Sequence, residues 1–88
     1  MSPKTLIQRK FKIGWSDVQL LVLLQLGEDA LVPYAELVVK TGASETGVWN
    51  ALAHIRDRGC LETFIIEGRT HYLLNETGRD MLAKILAR

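Results

Sequence analysis

The stretch Thr41-Gly42-Ala43-Ser44 constrains the fold more than any other part of this chain. It lies between two short segments of helical apolar spacing. Gly42 suits the left-handed residue that ends a helix, and Ser44 suits the cap that starts the next one. A glycine-punctuated β-hairpin pattern follows at once.

The neighbouring segments supply the other elements. Ser16 and Gln19 have the spacing of a capping box, which predicts a first helix from there to about Leu26, stopping at Gly27. Val18, Leu20, Leu21, Leu23, Leu24 and Leu26 wrap most of its circumference, so it is expected to be buried on more than one side, by the core and by a second subunit. Leu31-Val32 predicts a very short strand, after which Pro33 opens a second helix where its missing N–H costs nothing. Tyr34, Leu37 and Val38 share one face of that helix. The third helix runs from Ser44 to about Arg58 and is broken by Gly59. Residues 60–66 and 70–74 are rich in β-branched and aromatic side chains around Glu67-Gly68, a two-residue hairpin turn. That turn pairs Ile65 with Thr70, Thr63 with Tyr72 and Leu61 with Leu74. Asn75 is expected to cap a last helix carrying an apolar stripe of Met81, Leu82, Ile85 and Leu86.

Composition bounds the class. A chain of 88 residues with 48% apolar content is one small domain with material for a core and one further apolar surface. The apolar run 18–24 is too short to span a bilayer, and Asp17, Gln19 and Gln25 speak against a signal peptide. The lone Cys60 excludes an intrachain disulfide and suits a reducing compartment, so a cytoplasmic protein with no membrane partner is expected. Charge is unevenly spread. Residues 1–14 hold Lys4, Arg9, Lys10 and Lys12 and no acid, whereas seven basic and ten acidic side chains leave residues 15–88 at −3. The division is thus a basic arm, 1–14, and a mildly acidic body, 15–88.

Helix, short strand, helix, turn, helix, hairpin, helix is the order of a winged helix-turn-helix domain: α+β, mostly α, with a three-helix core, a short wing and an extra C-terminal helix. The sequence also resembles winged helix-turn-helix regulators of transcription. Ala35-Glu36-Leu37, Thr41-Gly42-Ala43-Ser44, Val48, Leu52, Ile55 and Arg58-Gly59 fall where such proteins place their helix-turn-helix core. Gly68-Arg69 and residues 72–79 fall where they place the wing tip and the start of the closing helix. The resemblance spans roughly residues 16–86 and implies a third helix lying in the major groove of double-stranded DNA. Helix 45–57 and hairpin 62–71 are poorer in Arg and Lys than the family pattern, and the wing is short.

At about 100° per residue, Val48, Leu52 and Ile55 point to the core. Thr46, Asn50, Ala53 and Asp57 lie opposite, flanked by Trp49 and His54, with Gly47 and Ala53 small enough for close approach. Asn50 has the geometry to pair bidentately with adenine, a contact worth about 1–3 kcal/mol of discrimination. Ser44 and Thr46 at the helix start suit a phosphate oxygen. Lys40 and Arg69 are placed to clamp flanking phosphates, and Arg9, Lys10 and Lys12 to follow the backbone. For Trp49 three uses stand open: packing on the second helix near Val39, stacking on sugar or a thymine methyl, or anchoring a protein. The expected DNA-binding set is therefore Ser44, Thr46, Trp49, Asn50, Ala53, His54, Lys40, Arg69, Arg9, Lys10 and Lys12.

If Leu61, Ile65 and Tyr72 face the core, Phe64, Ile66 and Leu73 face outward, and an apolar outer face calls for a cover. A homodimer through Leu20, Leu24, Phe64, Ile66 and Ile85 is expected. No catalytic arrangement, cofactor or metal site is expected: His54 and His71 stand apart from any carboxylate or cysteine at ligand spacing, and Cys60 reads as core. The leading functional expectation is a homodimeric, sequence-specific DNA-binding regulator. The alternative is a winged-helix protein-interaction module or a subunit of a larger assembly, which the acidic body favours.

Overall fold

The computed structural model describes residues 15–28 and 31–87. The basic arm, with Arg9, Lys10 and Lys12, lies outside the described residues. The elements are α1 (Asp17–Glu28), β1 (Val32–Pro33), α2 (Tyr34–Thr41), α3 (Glu45–Asp57), β2 (Leu61–Ile66), β3 (Arg69–Leu74) and α4 (Glu76–Leu86). They form a winged helix-turn-helix fold, mostly α, with an antiparallel sheet of order β1-β3-β2.

Local signals set the boundaries. The Ser16 amide donates to Gln19 Oε1 (3.0 Å) and the Gln19 amide to Ser16 Oγ (3.2 Å), closing the capping box. Gly42, at φ 69°, ends α2 and donates its N–H to the Val38 carbonyl. Ser44 Oγ accepts from the Gly47 amide at 3.0 Å and so starts α3. Glu67 and Gly68 both have positive φ, 52° and 77°, as a tight I′-type hairpin turn requires. The register is the expected one, with Leu61 opposite Leu74, Thr63 opposite Tyr72 and Ile65 opposite Thr70.

α1 is the central helix. It packs against α2, α3, α4 and β3, which accounts for much of its nearly continuous apolar surface. Leu20 and Ile85, expected at a dimer interface, are only 2% and 6% exposed and belong to the chain's own core. Leu24 is half-buried. The core also takes Leu23, Leu26, Leu37, Val48, Ile55 and Leu74, and Cys60 is fully buried, as its apolar setting predicted.

Three further expectations are corrected. α1 continues through Gly27 to Glu28; Gly27 is needed because a Cβ there would collide with the Leu82 side chain of α4. Pro33 occupies the N-cap position in extended backbone rather than the first helical turn, and pairs across edge strand β1 with His71. Ile65 is 77% exposed instead of facing the core, because the hairpin projects past the helices that support its base.

Candidate nucleic-acid interface

α3 is amphipathic, and its position follows from that. Val48, Ala51, Leu52 and Ile55 are buried, which turns Thr46 and Asn50 to solvent and leaves Ala53 half-exposed between them and the wing. Ser44, capping the helix, is exposed at its start. The free amides and positive dipole end of the first turn therefore open to solvent beside the Ser44 and Thr46 hydroxyls. Gly47 is not part of this ridge. A Cβ there would sit 3.1 Å from Ser44 Oγ and 3.5 Å from Val18 Cγ1, so its smallness serves the approach of α1.

Trp49 lies on the flank of α3 that faces the wing and is 59% exposed. Its neighbour is Tyr34 rather than Val39, which is 79% exposed. The two rings meet edge-on, centroids 6.2 Å apart. The Tyr34 hydroxyl donates to the Glu45 carbonyl, bridging the start of α2 to the start of α3. Burial, with Glu45 adding to it, holds the Tyr34 hydroxyl above its ordinary pKa, so it remains a donor. Between α3 and the wing runs a trough of about 300 Å³ lined by Trp49, Ala53, Arg56, Thr63, Thr70 and Tyr72 among others. A second hollow continues it past Trp49 to Pro33, Tyr34 and Arg69. Among the described residues, two arginines and no acidic residue line this surface. Arg56 lies 3.6 Å from Asp57, with both side chains well over half exposed, a pair that solvent screens and that leaves the cation available.

The other expected residues are dispersed. Lys40 pairs with Glu36 one turn earlier on α2 at 3.2 Å. Arg69 is exposed at the first position of β3, beside the wing turn. His54 points away from the wing: its ring stands edge-on to Trp15, centroids 4.6 Å apart, and Nε2 accepts from Arg58 Nε at 3.0 Å. The Arg58 guanidinium also lies 5.2 Å from the Trp15 ring centroid. His54 thus joins α3 to the entrance of α1 and is engaged there rather than on the ridge. Arg56, Thr63, Thr70, Tyr72 and Tyr34 line these hollows and stand outside the expected set, although the sequence leaves Arg56 open as a phosphate contact or a partner of a nearby acid. Arg56 was signalled by its spacing, being at i+7 from Trp49 and i+3 from Ala53. Tyr34 carried no local signal, since only the crossing of α2 and α3 brings it to Trp49.

His54 gives the fold a pH dependence. Burial, and then Arg58, lower its pKa below the ordinary imidazole value, with Asp57 opposing. The unfolded chain consequently binds the proton more readily than the folded one below about pH 6.5. Stability is expected to be complete at pH 7.5 and to fall as pH drops through 6.5 toward 5.5. Urea midpoints across that range should decline for the native chain and stay nearly level for His54→Gln; equal slopes would exclude His54 as the cause.

Comparison of the sequence with protein-family profiles and with curated proteins finds no match. Comparison of the fold with solved structures finds many. A protein described as a probable transcriptional regulator, from Pseudomonas aeruginosa, superposes with a TM-score of 0.82 at 22% identity, over 96% of this chain and 65% of that one. A MarR-family transcriptional regulator from Silicibacter pomeroyi gives 0.84 at 14% identity, over 96% and 59%. An E. coli protein described as a predicted DNA-binding transcriptional regulator gives 0.66 at 28% identity, over 77% and 73%. The fold is thus the winged helix-turn-helix of such regulators, and this chain spans about three-fifths to two-thirds of the first two. No described helix is long and apolar enough to cross a membrane.

Proposed function

We propose that this chain is a sequence-specific DNA-binding regulator of transcription that acts as a homodimer, with α3 in the major groove. The observation that carries the reading is the ridge of Ser44, Thr46, Asn50 and Ala53, bordered by a trough with two arginines and no carboxylate. On a body with more acid than base, that is where a polyanion fits. Asp57 shares the ridge's direction but lies eleven residues beyond Thr46, about 16 Å along the axis. The descriptions of the similar proteins as transcriptional regulators, one of them DNA-binding, support the same reading. Arg56, Arg69 and Lys40 supply phosphate contacts from the body, and Arg9, Lys10 and Lys12 supply the rest. Of the residues expected at the dimer interface, Phe64 and Ile66, 44% and 41% exposed, and the half-buried Leu24 remain accessible to a second copy. In such a dimer the two α3 helices stand about 34–36 Å apart, in successive major grooves.

Fluorescence anisotropy with selected and random duplexes tests this. Six phosphate contacts per protomer give a log–log salt slope near about −5 for one half-site. Absence of salt-sensitive binding even at low ionic strength would remove the proposal. A second reading, a protein-interaction module, is favoured by the apolar hairpin face with Ile65 at 77% exposure. Deletion of residues 1–13 separates the two. Loss of DNA affinity with the fold intact supports the regulator, and an unchanged DNA response with loss of a protein partner supports the module.

A further inference from the structure

Resting on the DNA-binding reading, we infer that Trp49 is a specificity-determining residue that reads the C5-methyl group of a thymine, and that Tyr34 is the residue that positions it. An indole left 59% exposed on a small body is a surface in want of an apolar partner. Tyr34 meets it edge-on and leaves the rest of its surface open to the trough. The surroundings specify what kind of partner that is. Arg56 lies in one hollow beside Trp49 and Arg69 in the other, with Thr70 in both and, among the described residues, no acidic residue in either. A nucleic-acid strand meets those terms, with its phosphates toward the guanidiniums and one apolar group toward the indole. In the major groove that apolar group is the thymine methyl.

Helix geometry makes the assignment specific. Asn50 points outward, toward where base edges would lie, and Trp49 is about 100° round the helix toward the wing. It therefore faces the side of the groove along which one strand passes. Asn50 pairing with adenine and Trp49 covering a thymine methyl together define an A·T-containing step. Tyr34 fixes the indole in two ways: its ring limits the rotation of Trp49, and its hydroxyl shares the Glu45 carbonyl, which lies one helical turn before Trp49.

The test uses the full chain, the best selected duplex, and the same duplex with deoxyuridine in place of every thymine, which removes only the methyl groups. The native chain should bind the uracil duplex about four-fold more weakly for each methyl that Trp49 covers. Trp49→Ala should bind both duplexes with affinities within two-fold of each other (roughly, within the scatter of such contacts). Tyr34→Phe should lower the thymine-to-uracil ratio, whereas a variant that only loosened the fold would weaken both duplexes alike. Thermal melts of each variant establish that it is folded. Native binding without methyl discrimination, or discrimination kept in full by Trp49→Ala, overturns this inference and leaves DNA binding standing. Failure to bind either duplex removes the DNA-binding reading and this inference with it.

Discussion

Gly78→Ala is expected to destabilise the fold by roughly 2 kcal/mol, against the sign that helix propensity alone would give. Alanine inside a helix is normally better than glycine by about 1 kcal/mol. Gly78, however, is buried in the first turn of α4, and a Cβ there would stand 2.6 Å from the Cys60 carbonyl oxygen and 2.8 Å from Leu74 Cδ2. The first of those is backbone, so no rotamer change relieves it, and overpacking of this kind costs about 1–3 kcal/mol before further strain. α4 must move, and its cap moves with it. The Gly78 amide donates to Asn75 Oδ1 at 2.9 Å, the Asn75 amide donates to the Cys60 carbonyl at 3.1 Å, and Asn75 Nδ2 donates to the Gly59 carbonyl at 2.8 Å. These bonds join the exit of β3 to the entry of β2 and so set the wing against α3. The thermal midpoint should fall by about 10 °C, with DNA affinity weakened as the wing loosens. Gly27→Ala is the control: its clash is with the end of the Leu82 side chain rather than with backbone, so its loss should be smaller. A melt in which Gly78→Ala equals or exceeds the native chain would contradict the close packing of α4 on Cys60.

What the sequence disclosed and what it withheld divide along a physical line. The caps at Ser16, Ser44 and Asn75, the left-handed glycine at 42 and the two-residue turn act over four residues or fewer, and each was legible because its chemistry is local; the turn then fixes the strand register. The direction of an apolar face was legible too, from periodicity. How far a neighbouring element extends was not. Ile65 has the right alternation for the core, yet no helix lies beneath it. Gly27 has the composition of a terminator, yet its role is to let α4 approach. Leu20 and Ile85 have the apolar character of an interface, yet the packing of α1 among three helices takes Leu20 into the core, and the docking of α4 takes Ile85 there too. The same limit applies to the site. The exposed ridge of α3 could be read from the helical wheel, whereas the engagement of His54 with Trp15 and Arg58, and the meeting of Tyr34 with Trp49, depend on how helices cross.

Asn50→Ala is expected to produce the largest functional effect confined to one contact. Asn50 is exposed near the middle of α3, and no hydrogen bond recorded among the described residues holds its amide, so its removal should leave the fold intact. If it makes a bidentate pair with adenine, about 1–3 kcal/mol of discrimination is lost, which weakens binding to a selected duplex by roughly five- to 150-fold. Affinity for random duplex should hardly change, because that term comes from phosphate neutralisation and Asn50 carries no charge. Arg69→Ala should behave in the opposite manner, weakening selected and random duplexes alike and making the salt slope shallower by about 0.9. The pair of variants thus separates the residue that reads sequence from the one that holds the strand. Should Asn50→Ala leave the selected-to-random ratio unchanged while binding persists, the exposed side of α3 is not the reading surface. The arginines of the trough would then be holding a strand whose sequence is read elsewhere, by the wing or by the arm.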